Sequence, residues 1–325
     1  MTAKGFQKTI SEYRLVIDRG LKSLIKDHDP AYLYEPVAYV FEGKGKRLRP
    51  ILVLLVAKMF GSPELEALPA ALAVELLHNF SLVHDDIMDR DNLRHGLPTV
   101  YRKWDESAAI LAGDAIFALA HGQLLRIKGR PLDCIRVFNR ATIGLCEGQA
   151  MDKEFESSAT VTLEEYLNMV RLKTGTLLAA SCRLGAIVSD AEKQEERALE
   201  EFGLLLGQAF QIQDDLLEIY SSDEEMGKSL GSDVITRKQT YLTCKAVEQD
   251  SQSWNELMES LEGKDMKSEV IPALRHYFED TGVVGSAQAQ VRDLIASGLS
   301  KLEMFGREGR KDLDHFVNML LARKR

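Results

Sequence analysis

Cysteine is scarce and unpatterned: Cys134, Cys146, Cys182 and Cys244 are the four in the chain, and no two form a CxxC pair. Neither a zinc site nor a disulfide framework is indicated, and a reducing, cytoplasmic setting fits. A long apolar run is also missing. The longest, Ile51 to Ala57, falls far short of the ~20 residues needed to span a bilayer. The N-terminus, MTAKGFQKTISEYR, has no apolar core of signal-peptide length, so a soluble chain without a transmembrane segment is expected. Basic charge is in deficit, with 41 Lys and Arg against 50 Asp and Glu, a formal net charge of -9 and a pI near 5.4. No basic face large enough to neutralise a run of phosphates is visible, which excludes nucleic acid as a partner. Eight prolines and almost no period-two alternation of β-branched residues exclude a sheet protein.

What remains is helical. At 325 residues and 45% hydrophobic content the chain can bury a large core. No linker or low-complexity stretch divides it, so one all-α domain over 1–325 is expected. Ile10, Tyr13, Ile17, Leu21 and Leu24 form a stripe at spacings of three and four, predicting a helix from about 6 to 25. Pro50 suits the first turn of a helix from 50 to 60. Further helices are expected at about 107–127, 131–157, 163–188, 192–221, 239–249, 252–262, 267–297 and 300–322. Residues 90–99 and 222–240 are read as polar loops.

Charge concentrates at two places. Asp85, Asp86, Asp89 and Asp91 fall within seven positions at the end of an apolar helical run that starts near Leu72. On a helix, Asp85 and Asp89 share a face one turn apart and repel each other. A cation between them would account for the arrangement, and carboxylates without His or Cys point to magnesium. A solvated helix end is the plain alternative for one such motif. A second copy, Asp214, Asp215 and Glu218, ends the apolar run from Phe202 to Ile212. Magnesium commonly combines a few carboxylates with substrate phosphate oxygens, so two clusters predict a bridged anion.

A basic, glycine-containing loop, Gly43 to Pro50, can hold an oxyanion beside a helix N-terminus, although it is not a P-loop. Acidic clusters, local cations and apolar helices together suit a diphosphate group with a hydrocarbon tail. There is no nucleophilic triad, and His84 is more simply structural than a base.

The motifs GKRLRP (Gly45 to Pro50), HNFSLVHDDIMD (His78 to Asp89), LRHG (Leu93 to Gly96), GD (Gly113-Asp114), GQAMD (Gly148 to Asp152), KTG (Lys173 to Gly175), FQIQDD (Phe210 to Asp215) and GKSLGSD (Gly227 to Asp233) stand in this order. In that series the chain closely resembles the trans-isoprenyl diphosphate synthases, the family of geranylgeranyl and farnesyl diphosphate synthases. The resemblance implies a helical bundle around a deep central cavity, a homodimer, and head-to-tail condensation of an allylic diphosphate with isopentenyl diphosphate. It implies that Asp85, Asp89, Asp214 and Asp215 bind magnesium, that Arg94, Lys173, Lys228 and Lys238 add positive charge, and that Thr174 and Gln211 steady the allylic cation. It places isopentenyl diphosphate on Lys46, Arg49 and His78. The leaving diphosphate would take the final proton.

Two positions depart from the family pattern. His95 stands where a second arginine precedes the loop glycine, a weaker and pH-dependent cation, and the second cluster closes on Glu218 rather than Asp. Product length is expected from the residues below the first cluster. Phe80 lies ~7.5 Å along the axis from Asp85 at 1.5 Å per residue, with Ser81 nearer. By resemblance, a small near residue and an aromatic far one go with twenty carbons. A terpene cyclase would not need the basic loop for a second diphosphate, and an inactive partner subunit would have lost an acidic cluster.

Overall fold

The computed structural model describes residues 3–26, 28–43, 45–158, 160–220 and 238–321. Helix α1 (Ala3–Ser23) lays Ile10, Tyr13, Ile17 and Leu21 into the core, as the stripe predicts. It is followed by α2 (Ala31–Glu42), which the periodicity does not announce, and by α3 (Leu48–Met59), which has Pro50 in its first turn. In α4 (Glu64–Met88) residues Ala70 to Leu77 are all buried, the pattern of a helix enclosed on every side. Its neighbours are α1, α2, α3, the short α5 (Val100–Lys103) and above all α6 (Glu106–Leu124).

Between α4 and α5 the chain makes a small antiparallel ribbon, β1 (Leu93–Arg94) and β2 (Leu97–Pro98), pairing Leu93 with Pro98 and Arg94 with Leu97. The expectation of helices and loops alone is corrected here. His95 (φ 53°) and Gly96 (φ 77°) both adopt left-handed backbone, the geometry a two-residue hairpin turn requires.

After α6 come α7 (Pro131–Phe155) and α8 (Leu163–Val170), the latter begun by a capping box of Thr162 and Glu165. A π-helical turn, Arg171–Gly175, joins α8 to α9 (Thr176–Ile187), so the single helix expected over 163–188 is three segments. Then follow α10 (Lys193–Tyr220) and α11 (Tyr241–Ser260). A kink at Asp250 divides α11 where two helices are expected. A second π turn (Met266–Val270) leads into α12 (Ile271–Asp280), and Gly282 (φ 73°) separates it from α13 (Val283–Lys301), so 267–297 is broken as well. Gly306–Leu321 forms α14.

Contacts gather into two compact units. The first takes Met1–Thr142, Leu177–Gly203 and Lys301–Phe316, and the second Ile143–Thr176, Leu204–Ser300 and Val317–Arg325. In the first, α4 is the innermost element, and ion pairs such as Lys58 to Asp312 (2.7 Å) tie in α14. In the second, Tyr166, Ile212, Tyr241, Leu274 and Phe278 form the centre of the core, and the Trp254 and Phe278 rings stack at 5.6 Å. By length and composition α4 and α6 are apolar enough to cross a membrane. The apolar window of α4 is 67% buried against its neighbours, that of α6 44%.

Candidate active site

The acidic end of α4 divides into two kinds of carboxylate. Asp85 and Asp89 are half-buried, one turn apart, and the Asp89 backbone N–H closes the helix onto the Asp85 carbonyl at 2.8 Å. Asp86 is 4% exposed and accepts a forked contact from Arg94, which also reaches Asp91 at 3.0 Å. Arg94 therefore spends its guanidinium on the loop and helix that carry it, where the sequence assigns it to a substrate. Asp86 is thereby neutralised, while Asp85 and Asp89 lie on the next face of the helix.

Two turns earlier on α4, the Arg49 guanidinium donates to His78 Nε2 at 3.0 Å. Burial, then the neighbouring Arg49, Arg94, Arg47 and His95, hold His78 well below its usual pKa. It stands beside Arg49 as a neutral acceptor, not as the cation a basic cluster would suggest. Lys46 is exposed on the loop before α3, and His95 is exposed at the hairpin tip. Lys46, Arg49, His78, Arg94 and His95 all belong to the first unit.

Phe80 sits deeper on α4 against Phe117 of α6 (5.0 Å between centroids), and Phe117 meets His121 (4.9 Å) and Phe138 (6.2 Å). Ser81 is buried and returns its hydroxyl to the His78 carbonyl at 2.9 Å. His84 packs edge-on to Phe80 at 4.7 Å, its ring lying where a side chain at Gly113 would be. That contact explains both His84 and the Gly113-Asp114 motif in structural terms, without a base.

The second unit builds a polar cluster around the π turn. Lys173 pairs with Asp152 of α7. Thr174 donates to Gln211 Oε1 at 2.9 Å, and Gln211 donates in turn to Asp215 at 3.1 Å. Asp215, 5% exposed, also accepts from the Tyr166 hydroxyl and, at 2.8 Å, from the Tyr241 backbone N–H. Burial, and then the Asp215 charge, raise the Tyr166 pKa well above its ordinary value, so the phenol stays a donor. With three donors on its carboxylate, Asp215 is a scaffold group here rather than the open ligand the sequence assigns. Asp214, one position earlier, is half-buried on another face.

Glycine makes this turn possible. A methyl added at Gly148 would overlap the Lys173 backbone, with Cα at 2.7 Å, and one at Gly207 of α10 would meet Gly175 Cα at 2.5 Å. The π turn, a feature that recurs at functional sites, lies pressed between those two helices. Glu218 is buried and, with Asp215 and Lys238, lines a cavity of about 700 Å³ in this unit. Lys228 and the Gly227 to Asp233 motif lie outside the described residues.

Several residues go unread in the sequence. Tyr166 and Tyr241 carry no motif signal at all; Asp152 sits inside GQAMD without a stated partner. Gln149, in the same motif, is 5% exposed, and neither amide atom has a hydrogen-bond partner among the described residues. Such a buried amide calls for a ligand or water. No group of three or more His, Cys, Asp or Glu side chains forms a metal-ligating cluster among the described residues. Asp85 and Asp89 in the first unit, and Asp214 in the second, are each hard carboxylates of the kind that hold a divalent ion which draws its remaining oxygens from a substrate phosphate.

A family model for polyprenyl synthetases matches residues 30–277. The geranylgeranyl diphosphate synthase of Methanosarcina mazei is 42% identical over 235 residues, 71% of this chain and 72% of its own. The geranylfarnesyl diphosphate synthase of Natronomonas pharaonis is 33% identical, with 99% of each chain covered. Among solved structures, the geranylgeranyl pyrophosphate synthetase of Pyrococcus horikoshii superimposes with a TM-score of 0.92 at 35% identity, again over 99% of both chains.

Proposed function

Because the chain belongs to the polyprenyl synthetase family and is a polyprenyl diphosphate synthase, we propose that it condenses isopentenyl diphosphate with an allylic diphosphate to make geranylgeranyl diphosphate. One observation carries the two-substrate reading. Asp85 with Asp89, and His78 with Arg49, stand two turns apart along α4, ~10 Å at 1.5 Å per residue. The first pair suits a cation-bridged diphosphate, and the second suits a diphosphate held by direct hydrogen bonds from the Arg49 guanidinium, which His78 orients as an acceptor. A cyclase, with one diphosphate to ionise, has no use for the second.

We assign magnesium to Asp85 and Asp89 in the first unit and to Asp214 in the second, since each offers hard oxygen alone. When bound, it supplies electrophilic stabilisation of the departing diphosphate. The protein adds Lys173, oriented by Asp152, as a fixed positive charge. Thr174, Gln211 and the buried Gln149 offer polar atoms to the developing allylic charge. Arg49 and His78 orient isopentenyl diphosphate so that its double bond attacks, and the departed diphosphate takes the proton. No side-chain base is needed, in agreement with a structural His84.

Chain length rests on Phe80 and Ser81. Ser81 is buried and small, and Phe80 is backed by Phe117 in a tilted ring contact, which suits two aromatic rings as the stop for a growing chain. Incubating the purified protein with magnesium, isopentenyl diphosphate and dimethylallyl, geranyl or farnesyl diphosphate should give a twenty-carbon product by chromatography. Cyclised hydrocarbon, or no incorporation of isopentenyl units, would refute the proposal. Phe80→Ala should lengthen the product by at least one isoprene unit, and an unchanged product would take Phe80 out of chain-length control.

His95→Arg should lower the KM for isopentenyl diphosphate by about threefold, the scale of one exposed charge contact. An unchanged KM would place His95 away from that substrate. Exposed Ile110 and Leu111 of α6 support a homodimer, and light scattering at a monomer mass would refute it. The unpatterned cysteines, three of them buried, support a cytoplasmic setting.

A further inference from the structure

The three cations of Lys46, Arg47 and Arg49 look interchangeable in GKRLRP, yet the structure treats Arg47 differently. It is 5% exposed, whereas Lys46 is exposed and Arg49 is half-buried. Its guanidinium has five donors and makes four hydrogen bonds. Nε reaches Asp18 at 2.9 Å, Nη1 reaches Glu75 at 2.7 Å, and Nη2 reaches the carbonyls of Phe41 (3.1 Å) and Gly43 (3.0 Å). No donor set so committed has room for a substrate phosphate.

The backbone at Arg47 is left-handed (φ 52°, ψ 35°), immediately before α3. A non-glycine residue holds that conformation only where its surroundings over-determine it, and the four bonds to the side chain do so. The loop wraps its own arginine so closely that a Cβ at Gly45 would lie 3.0 Å from Arg47 Nη1. Across from it, Glu75 stands one turn before His78 on α4, and Asn79 donates to the Glu75 backbone carbonyl at 2.7 Å. The loop and the first turn of α3 are thus fastened to α4 at two points one turn apart, Arg47 to Glu75 and Arg49 to His78. The first is buried on both sides, with side-chain exposures of 4% and 3%. The second is only part-buried.

We propose that Arg47 is a positioning residue for the isopentenyl diphosphate pocket, locking the left-handed turn that aims Lys46 and Arg49 without touching the substrate. The proposal rests on the reading that Arg49 and His78 hold isopentenyl diphosphate. Lysine at 47 would keep the charge but has three donors radiating from one point, where guanidinium spreads five over a plane. It cannot bridge Glu75, Asp18 and two carbonyls together.

Arg47→Lys should raise the KM for isopentenyl diphosphate about tenfold, leave the KM for the allylic substrate unchanged, and leave kcat at saturation within about twofold, the mark of misplaced binding groups. Arg49→Gln should raise the same KM by itself. In the double variant the two effects should fall short of additive, because Arg47 acts through Arg49. Fully additive effects would mean that Arg47 meets the substrate directly, and would overturn the proposal. A lowered Tm with an unchanged KM in Arg47→Lys would overturn it too, as a purely structural role. If Arg49→Gln alone leaves the KM unaltered, the pocket assignment itself fails, whatever Arg47 does. Should Arg47→Lys not fold, Asp18→Asn, which removes only the outer and more exposed partner, is read by the same criteria.

Discussion

Gly148→Ala is expected to lower turnover about a hundredfold, because small displacements of a positioned group carry losses of that order. It should also destabilise the protein by about 3 kcal/mol, the upper range for overpacking a closed site. The added methyl would overlap the Lys173 backbone nitrogen and Cα, and backbone cannot swing aside as a side chain can. The π turn Arg171–Gly175 has nowhere to retreat, since Gly175 is pressed against Gly207 on its other side. Lys173 and Thr174 would move together, away from Asp152 and Gln211. Gly144→Ala, one turn earlier on α7, provides the control. Its methyl would meet the Thr176 side-chain methyl at 2.9 Å, a contact that rotation and a small shift can relieve. Thermal melts and steady-state assays of both variants check the pair. A folded Gly148→Ala protein with normal turnover would remove Lys173 from the chemistry.

That π turn was not legible in the sequence, and the reason is physical. Its register is set by what packs against it, the glycines of α7 and α10, and local propensity carries no signal for an i to i+5 bond. The hairpin at His95-Gly96 was equally hidden, because histidine is not the residue a left-handed turn position advertises. By contrast, α1 and α3 were read nearly to their ends, since a stripe of apolar residues and a first-turn proline report burial and backbone geometry directly, while α4 was read to its C-terminal end but begins at Glu64, well before Leu72.

The acidic pairs show the same division within the candidate site. Their presence was plain, and helical spacing already set Asp85 and Asp89 apart from Asp86, but in the second cluster Asp214 and Asp215 were both given to the metal. Successive residues on an α-helix point about 100° apart, so both cannot face one ligand. In each pair the second is buried at about 5% exposure and committed, Asp86 to Arg94 and Asp215 to Tyr166 and Tyr241. The first of each, Asp85 and Asp214, is half-buried. Helical geometry alone would have separated them. Which one faced inward required knowing where Arg94 and Tyr166 lie.

Asp85→Asn is accordingly expected to separate stability from function. Asp85, Asp86, Asp89 and Asp91 all crowd the C-terminal end of α4, where the helix dipole disfavours negative charge by about 0.3–1 kcal/mol per group. Asp85 and Asp89 also repel each other at i, i+4. Asparagine keeps the shape and removes one charge, so Tm should hold or rise slightly. Turnover should fall about a thousandfold, as losses of a single preorganised electrostatic partner do, and the magnesium concentration giving half-maximal rate should rise. Asp86→Asn should behave in the opposite way. It leaves half-buried Arg94 with one carboxylate partner fewer, so Tm should drop by more than in Asp85→Asn, and the KM for isopentenyl diphosphate should rise as the β1–β2 loop loosens. Calorimetric titration with magnesium and an unreactive diphosphate, beside melts and steady-state rates, tests both. If Asp85→Asn melts earlier and turns over normally, the carboxylate serves the fold, and the end of α4 is not where the allylic diphosphate is held.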